Sequence, residues 1–95
     1  MEIVKKGLII NLVGALDSEN VSEIELHISD QLNQTDHLII NVDHLSCIES
    51  SGFYMLYLIK QKAERLGKTV SFQGSENSIY KRKIHKYSFA ALLNS

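Results

Sequence analysis

The residues best placed to do chemistry stand together. Glu49, Ser50, Ser51 and Gly52 precede a run of helical character. Two hydroxyls that open a helix lie among unpaired backbone N–H groups, at the partly positive end of the helix dipole. A phosphate carried by Ser50 or Ser51 would rest among those donors, and Gly52 behind them leaves the approach open. The same placement suits a serine that simply caps its helix, the commoner use of Ser at a helix start. The residues alone leave both readings standing.

The rest of the chemical inventory is thin. There is one Cys, so an internal disulfide and a cysteine-based metal framework are both excluded. That Cys47 lies near His44, yet a lone cysteine in such a stretch reads as a small apolar residue packed under a loop rather than as a nucleophile. His27, His37, His44 and His85 show neither i, i+4 pairing nor Cys/His ligand spacing, so no metal site is expected. No Gly-x-Ser-x-Gly elbow is present and no base can be assigned to a serine nucleophile, so neither an enzyme nor a cofactor is called for.

Two further clusters deserve weighing. Lys81, Arg82, Lys83 and Lys86, with His85 among them, read first as a solvated helix face and second as a contact for an acidic partner. Tyr80 and Tyr87 beside them do not form a stacking platform for RNA. Phe53 and Tyr57 share one side of a helix and Tyr54 is offset from them. At least one aromatic is therefore expected to stay exposed near Ser50, where it can anchor a partner.

The elements that must position these residues follow from periodicity. Glu2 to Lys5 suggests an edge strand turning at Lys6-Gly7. Leu8 to Val13 is a short apolar, β-branched strand. Gly14 to Asp17 reads as a turn, with Asp17 and Ser18 as N-caps for a helix over Glu19 to Gln34, on which Val21, Ile24, Ile28 and Leu32 recur. His37 to Val42 is near-continuously apolar, as in a central parallel or mixed strand. Asp43 to Glu49 reads as a loop. Ser50 and Ser51 cap a second helix on which Phe53, Leu56, Ile59, Ala63 and Leu66 keep helical period, and Gly67 ends it. Thr69 to Phe72 is another strand, turned by Gly74. Ser75 to Tyr87 and Phe89 to Leu93 read as two closing helices. The order β-β-α-β-α-β-α-α predicts an α/β layered domain with a mixed sheet.

Composition bounds the rest. The chain has 95 residues, one domain's worth. Lys plus Arg is 10 against 11 for Asp plus Glu, a net charge of −1, which gives no global pull toward nucleic acid or anionic lipid. Hydrophobic residues are 44% and charged residues 22%, which argues against disorder. Proline is absent, so a Pro-rich linker is excluded. No apolar run approaches the ~20 residues of a membrane span, and Met1 to Lys6 lacks a secretory apolar core. A small cytoplasmic protein is expected, with residues 1–95 as a single domain.

At this point the chain resembles a family. Gly14-Ala15-Leu16-Asp17 matches the Gly-x-Leu-Asp of an early loop in STAS domains, the fold shared by anti-sigma factor antagonists and the cytoplasmic tails of sulfate transporters. Glu49-Ser50-Ser51-Gly52 stands where that family has Asp-Ser-Ser-Gly opening a helix. Leu66-Gly67 and Thr69 to Gly74 match its later pattern. The resemblance runs over residues 8 to 93. It departs at Glu49, which stands in place of Asp, and at Phe53 and Tyr54, bulkier than usual after the Gly.

The resemblance implies a STAS-like α/β fold, a mixed sheet of four to five strands covered on one side by helices. It implies that Ser50 is the phosphorylated residue, with Ser51 its neighbour and alternate. It places Asp17 in the loop beside the site, and Asp17, Glu49, Ser50, Ser51 and Gly52 at the partner surface, to which the expected exposed aromatic adds Tyr54. The implied activity is non-catalytic partner switching in bacterial transcription regulation. An anti-sigma factor serine kinase binds the unphosphorylated form and is released by phosphorylation at Ser50, and a metal-dependent serine phosphatase resets the switch. A second expectation within the family is a STAS subunit of an ABC-type lipid transporter, docking on its cytoplasmic ATPase. Phe72-Gln73-Gly74 followed by a polar segment containing Tyr80 is reminiscent of that branch.

Overall fold

A computed structural model describes residues 1–74. The closing helices expected from Ser75 onward, and the basic cluster from Lys81 to Lys86, lie outside the described residues.

The chain begins with a hairpin. β1 (Glu2–Lys6) and β2 (Ile9–Leu16) pair antiparallel, with Lys6 opposite Ile9 across a two-residue turn. The first helix, α1 (Val21–Asn33), leads to β3 (His37–Asn41), and the short β4 (Leu45–Ile48) precedes α2 (Ser50–Arg65) and β5 (Thr69–Gln73). The sheet runs β1-β2-β3-β5, with β4 pairing β2 outside that path. Every pairing except the hairpin is parallel. Among the described residues the result is an α/β arrangement, a mixed five-stranded sheet with two helices.

Alternation decides which face of the sheet is covered. Ile10 and Leu12 of β2, Leu38 and Ile40 of β3 and Val70 of β5 are buried, and they meet Ile24, Ile28 and Leu32 of α1 and Phe53, Leu56, Ile59 and Ala63 of α2 in one core. Each of these larger side chains contributes roughly 1.5–3 kcal/mol through burial. The helices pack on each other, α1 also on β3 and α2 also on β5. The opposite face carries Val4, Ile9, Asn11 and Val13 around a shallow depression. A polar chain crosses it. Asn41 donates to Asn11 Oδ1 at 2.8 Å, Asn11 donates to the Val4 carbonyl at 3.1 Å, and Asn41 Oδ1 accepts the Asp43 N–H at 3.0 Å.

The second helix ends as its glycine predicts. Lys68 N–H bonds back to the Ala63 carbonyl at 2.8 Å and Gly67 N–H to the Glu64 carbonyl at 3.1 Å. That closure requires the left-handed backbone Gly67 adopts, at φ +70. Lys68 then reaches over to the end of α1, its Nζ 2.6 Å from the Leu32 carbonyl.

Five expectations need correction. Gly14 to Leu16 is strand, not turn, because β4 pairs beside it and extends β2. For the same reason, Asp43 to Glu49 is not all loop. The first helix starts at Val21 rather than Glu19, since residues 18–20 form a turn ahead of it. Cys47 is exposed on β4 rather than packed under a loop, and Leu66 at the end of α2 is exposed rather than on the core face.

Candidate functional site

The site begins where β2 changes partners. Ile9–Asn11 pair with β3, and Gly14–Leu16 pair with β4, with a shift of register between Gly14 and Ala15. Gly14 N–H donates to the His44 carbonyl at 3.2 Å, and Glu49 N–H donates to the Leu16 carbonyl at 2.9 Å. The ends of β2 and β4 thus leave the sheet side by side. One continues into the loop before α1 and the other directly into α2.

Glu49 remains extended, with φ −87 and ψ 167, while its carbonyl accepts the first helical bond, from Phe53 N–H at 3.0 Å. The N-cap of α2 is therefore Glu49, not Ser50 or Ser51. The strand pairing with Leu16 carries extended backbone as far as residue 49, and Ser50 is the first helical residue. The Glu49 side chain gives its own helix no capping bond. Its Oε1 accepts the Ser18 N–H at 2.9 Å instead.

The facing loop is cross-tied by two side chains. Asp17 Oδ1 accepts the N–H groups of Glu19 and Asn20 at 3.0 and 3.2 Å. Asn20 Oδ1 accepts the Asp17 N–H at 3.1 Å, and Asn20 Nδ2 donates to the Ala15 carbonyl at 2.8 Å. Asp17 thus caps the turn that leads into α1, while Asn20 occupies the helix N-cap without a side-chain capping bond. The Asp17 and Glu49 carboxylates are both acceptors for backbone N–H groups of one loop.

Gly52 explains how the helix comes so close. A Cβ built there would lie 2.5 Å from Leu16 Cγ and 2.9 Å from its Cδ2, and Leu16 is fully buried. The glycine is needed for this contact more than for an open approach to the serines.

Ser50 is exposed, and Tyr54, one turn on along the same face, is 52% exposed. Tyr54 stacks against half-buried Tyr57 with ring centroids 6.3 Å apart, and Gln61 donates to the Tyr57 hydroxyl at 2.7 Å. Ser51 turns the other way. Its Oγ is buried and has no hydrogen-bond partner. It lines a groove of about 180 Å³ where Val21, Ser22 and Glu25 of α1 face Ser51, Tyr54 and Leu58 of α2.

The sequence-predicted residues therefore converge. Glu49 to Gly52 and Tyr54 occupy the first turns of α2, and Asp17 lies in the loop that Glu49 holds. Asn20 and the α1 side of the groove were missed. The signal for the groove is the helical spacing of Ser51, Tyr54 and Leu58 beside the core stripe. Among the described residues no group of three or more His, Cys, Asp and Glu could hold a metal ion. No described helix is long and apolar enough to cross a membrane.

Comparison with known proteins agrees with the fold. The family model described as the STAS domain matches residues 1–94. Among solved structures, the chain is similar to the anti-sigma factor antagonist SpoIIAA in its unphosphorylated form. The TM-score is 0.68 at 23% identity, over 90% of this chain and 80% of that one. It is also similar to the Bacillus cell fate determinant SpoIIAA in its phosphorylated form, with TM-score 0.70 at 22% identity, over 99% of this chain and 87% of that one. A structure described as Mglu gives TM-score 0.63 at 12% identity over 75% of this chain and 18% of that one. At these identities the likeness is one of fold. A search of curated proteins finds no match.

Proposed function

The chain belongs to the STAS domain family, and we propose that it is a non-catalytic phospho-switch of the anti-sigma factor antagonist kind, one domain over residues 1–95, acting in the cytoplasm. The unphosphorylated form binds an anti-sigma factor serine kinase, phosphorylation at Ser50 releases it, and a serine phosphatase resets the switch. The observation that carries this reading is the placing of exposed Ser50 at the first turn of α2, on one face with exposed Tyr54, while its neighbour Ser51 has a buried hydroxyl.

The physics of release is electrostatic. A phosphate adds about −1.5 to −2 of charge at one point, on a chain whose net charge is −1. The α2 dipole favours it by ~0.3–1 kcal/mol at an exposed site, and the Glu49 carboxylate opposes it. A partner seated over Tyr54 and the groove would have to bury that charge, which costs affinity without unfolding the switch. Partner binding uses Asp17, Glu49, Ser50 and Tyr54 as one surface with Ser51 at the groove beside it, while buried Gly52, expected at that surface, acts from beneath by letting α2 approach Leu16.

The test is affinity capture from lysate of the native host with wild type and Ser50→Asp side by side. The reading requires a kinase-type ATPase that is held by wild type, lost with Ser50→Asp, and able to transfer phosphate to Ser50 when purified. Equal retention by the two proteins sinks it. Capture of an ABC transporter ATPase in its place makes the chain a docking subunit.

A further inference from the structure

Glu49 stands at the N-cap of α2, where a polar side chain ordinarily turns forward to bond the N–H groups of its own helix. It makes no such bond and instead holds the N–H of Ser18, 31 residues earlier in the chain, at 2.9 Å. Its backbone is anchored separately, through its N–H to the Leu16 carbonyl. The side chain can therefore let go of Ser18 without moving the start of α2. The loop it holds is otherwise tied to itself, through Asp17 and Asn20. The next residue after Glu49 is the exposed Ser50.

We propose that Glu49 is a relay that carries a change of charge at residue 50 to the loop before α1. The proposal rests on the reading of Ser50 as the modified residue. While residue 50 is neutral, the carboxylate keeps the Ser18 N–H. A phosphate on residue 50 sets nearly two negative charges beside that carboxylate, and like charges at such range repel. Glu49 swings away, and the loop loosens at Ser18 while the Asp17–Asn20 turn keeps its shape. The partner then meets two changes together, a new charge on α2 and a loop no longer held to it. Aspartate at this position, one methylene shorter, could not span the same gap from the same backbone, so the relay depends on the glutamate of this chain.

The experiment is amide hydrogen exchange by nuclear magnetic resonance on the full chain, with phosphoserine encoded at position 50 during synthesis. In wild type, phosphoserine should speed exchange at the Ser18 N–H about tenfold, the scale of losing one charge-assisted hydrogen bond. Glu49→Gln keeps an acceptor oxygen without the charge, so exchange at Ser18 should respond to phosphoserine by less than about twofold. Glu49→Asp should leave Ser18 exchanging fast whether or not residue 50 is modified. Unchanged exchange at Ser18 in phosphorylated wild type overturns the relay, and so does an equal response in Glu49→Gln. Because the phosphate is installed without a kinase, the relay can stand or fall whatever partner the capture experiment finds.

Discussion

Gly52 lies flush against Leu16, so close that a Cβ on the glycine would meet the leucine's Cγ at 2.5 Å. This contact sets how near the first turn of α2 comes to the end of β2. Alanine at residue 52 would gain up to about 1 kcal/mol of helix propensity, against roughly 1–3 kcal/mol for overpacking a buried contact. Gly52→Ala should therefore be destabilised on balance and bind its partner more weakly. Gly67→Ala makes the control, because nothing lies within 4 Å of its Cβ. It should lose about 1 kcal/mol from the left-handed backbone alone and keep its partner. Urea denaturation and a binding titration on both variants separate the two effects.

The two serines should respond in opposite ways. Ser51 keeps a buried hydroxyl without a partner, so Ser51→Ala removes an unsatisfied group and should leave stability unchanged or raise it by up to about 1 kcal/mol. Ser50→Ala should stay within about 0.5 kcal/mol of wild type, as exposed substitutions do, yet abolish phosphate incorporation. Thermal melts, with mass spectrometry after incubation with the kinase, check both. Phosphate retained in Ser50→Ala and lost in Ser51→Ala reverses the assignment.

The end of α1 depends on a residue from outside it. Lys68 Nζ contacts the Leu32 carbonyl at 2.6 Å, where the helix dipole is partly negative. Lys68→Met keeps the apolar stem and removes the donor, so it should cost about 0.5–1.5 kcal/mol. The measurement is the urea midpoint. Equal stability of variant and wild type would mean that water caps Leu32 as well as the lysine does.

Asn41 is 9% exposed and serves two neighbours, donating to Asn11 and accepting from the Asp43 N–H. Asn41→Ala should cost roughly 1–3 kcal/mol, since partners on both sides lose their bonds. A double-mutant cycle with Asn11→Ala should return a coupling of about 0.5–3 kcal/mol, as expected for residues in one network. Strict additivity would count against the network.

What could be read from the sequence was whatever rests on periodicity within one element. Ile24, Ile28 and Leu32 announced the first helix, and Phe53, Leu56, Ile59 and Ala63 the second. Lys6-Gly7 announced the hairpin. The misreadings around β4 share one cause. Leu45–Ile48 is four residues long with only its ends buried, so no alternation marks it as a strand. Once β4 was read as loop, Gly14 to Leu16 had no visible partner, and a segment holding a glycine and an aspartate looked like a turn. The N-cap of α2 was displaced for the same reason, because the pairing of Glu49 with Leu16 is invisible locally. The candidate site residues are read from their resemblance to a family motif, but the direction of the Glu49 side chain is not, since it points to a residue 31 positions away.

The forked strand β2 also bears on the order of folding. Its hairpin with β1 closes over a two-residue turn, and that pairing can form at once. The contacts that bring the two sides of the site together join distant stretches, Gly14 with Leu45, Leu16 with Ile48 and Ser18 with Glu49. Closing long loops comes late and sets the pace of folding. The candidate site is therefore a property of the assembled fold, since no single stretch of sequence contains both of its sides.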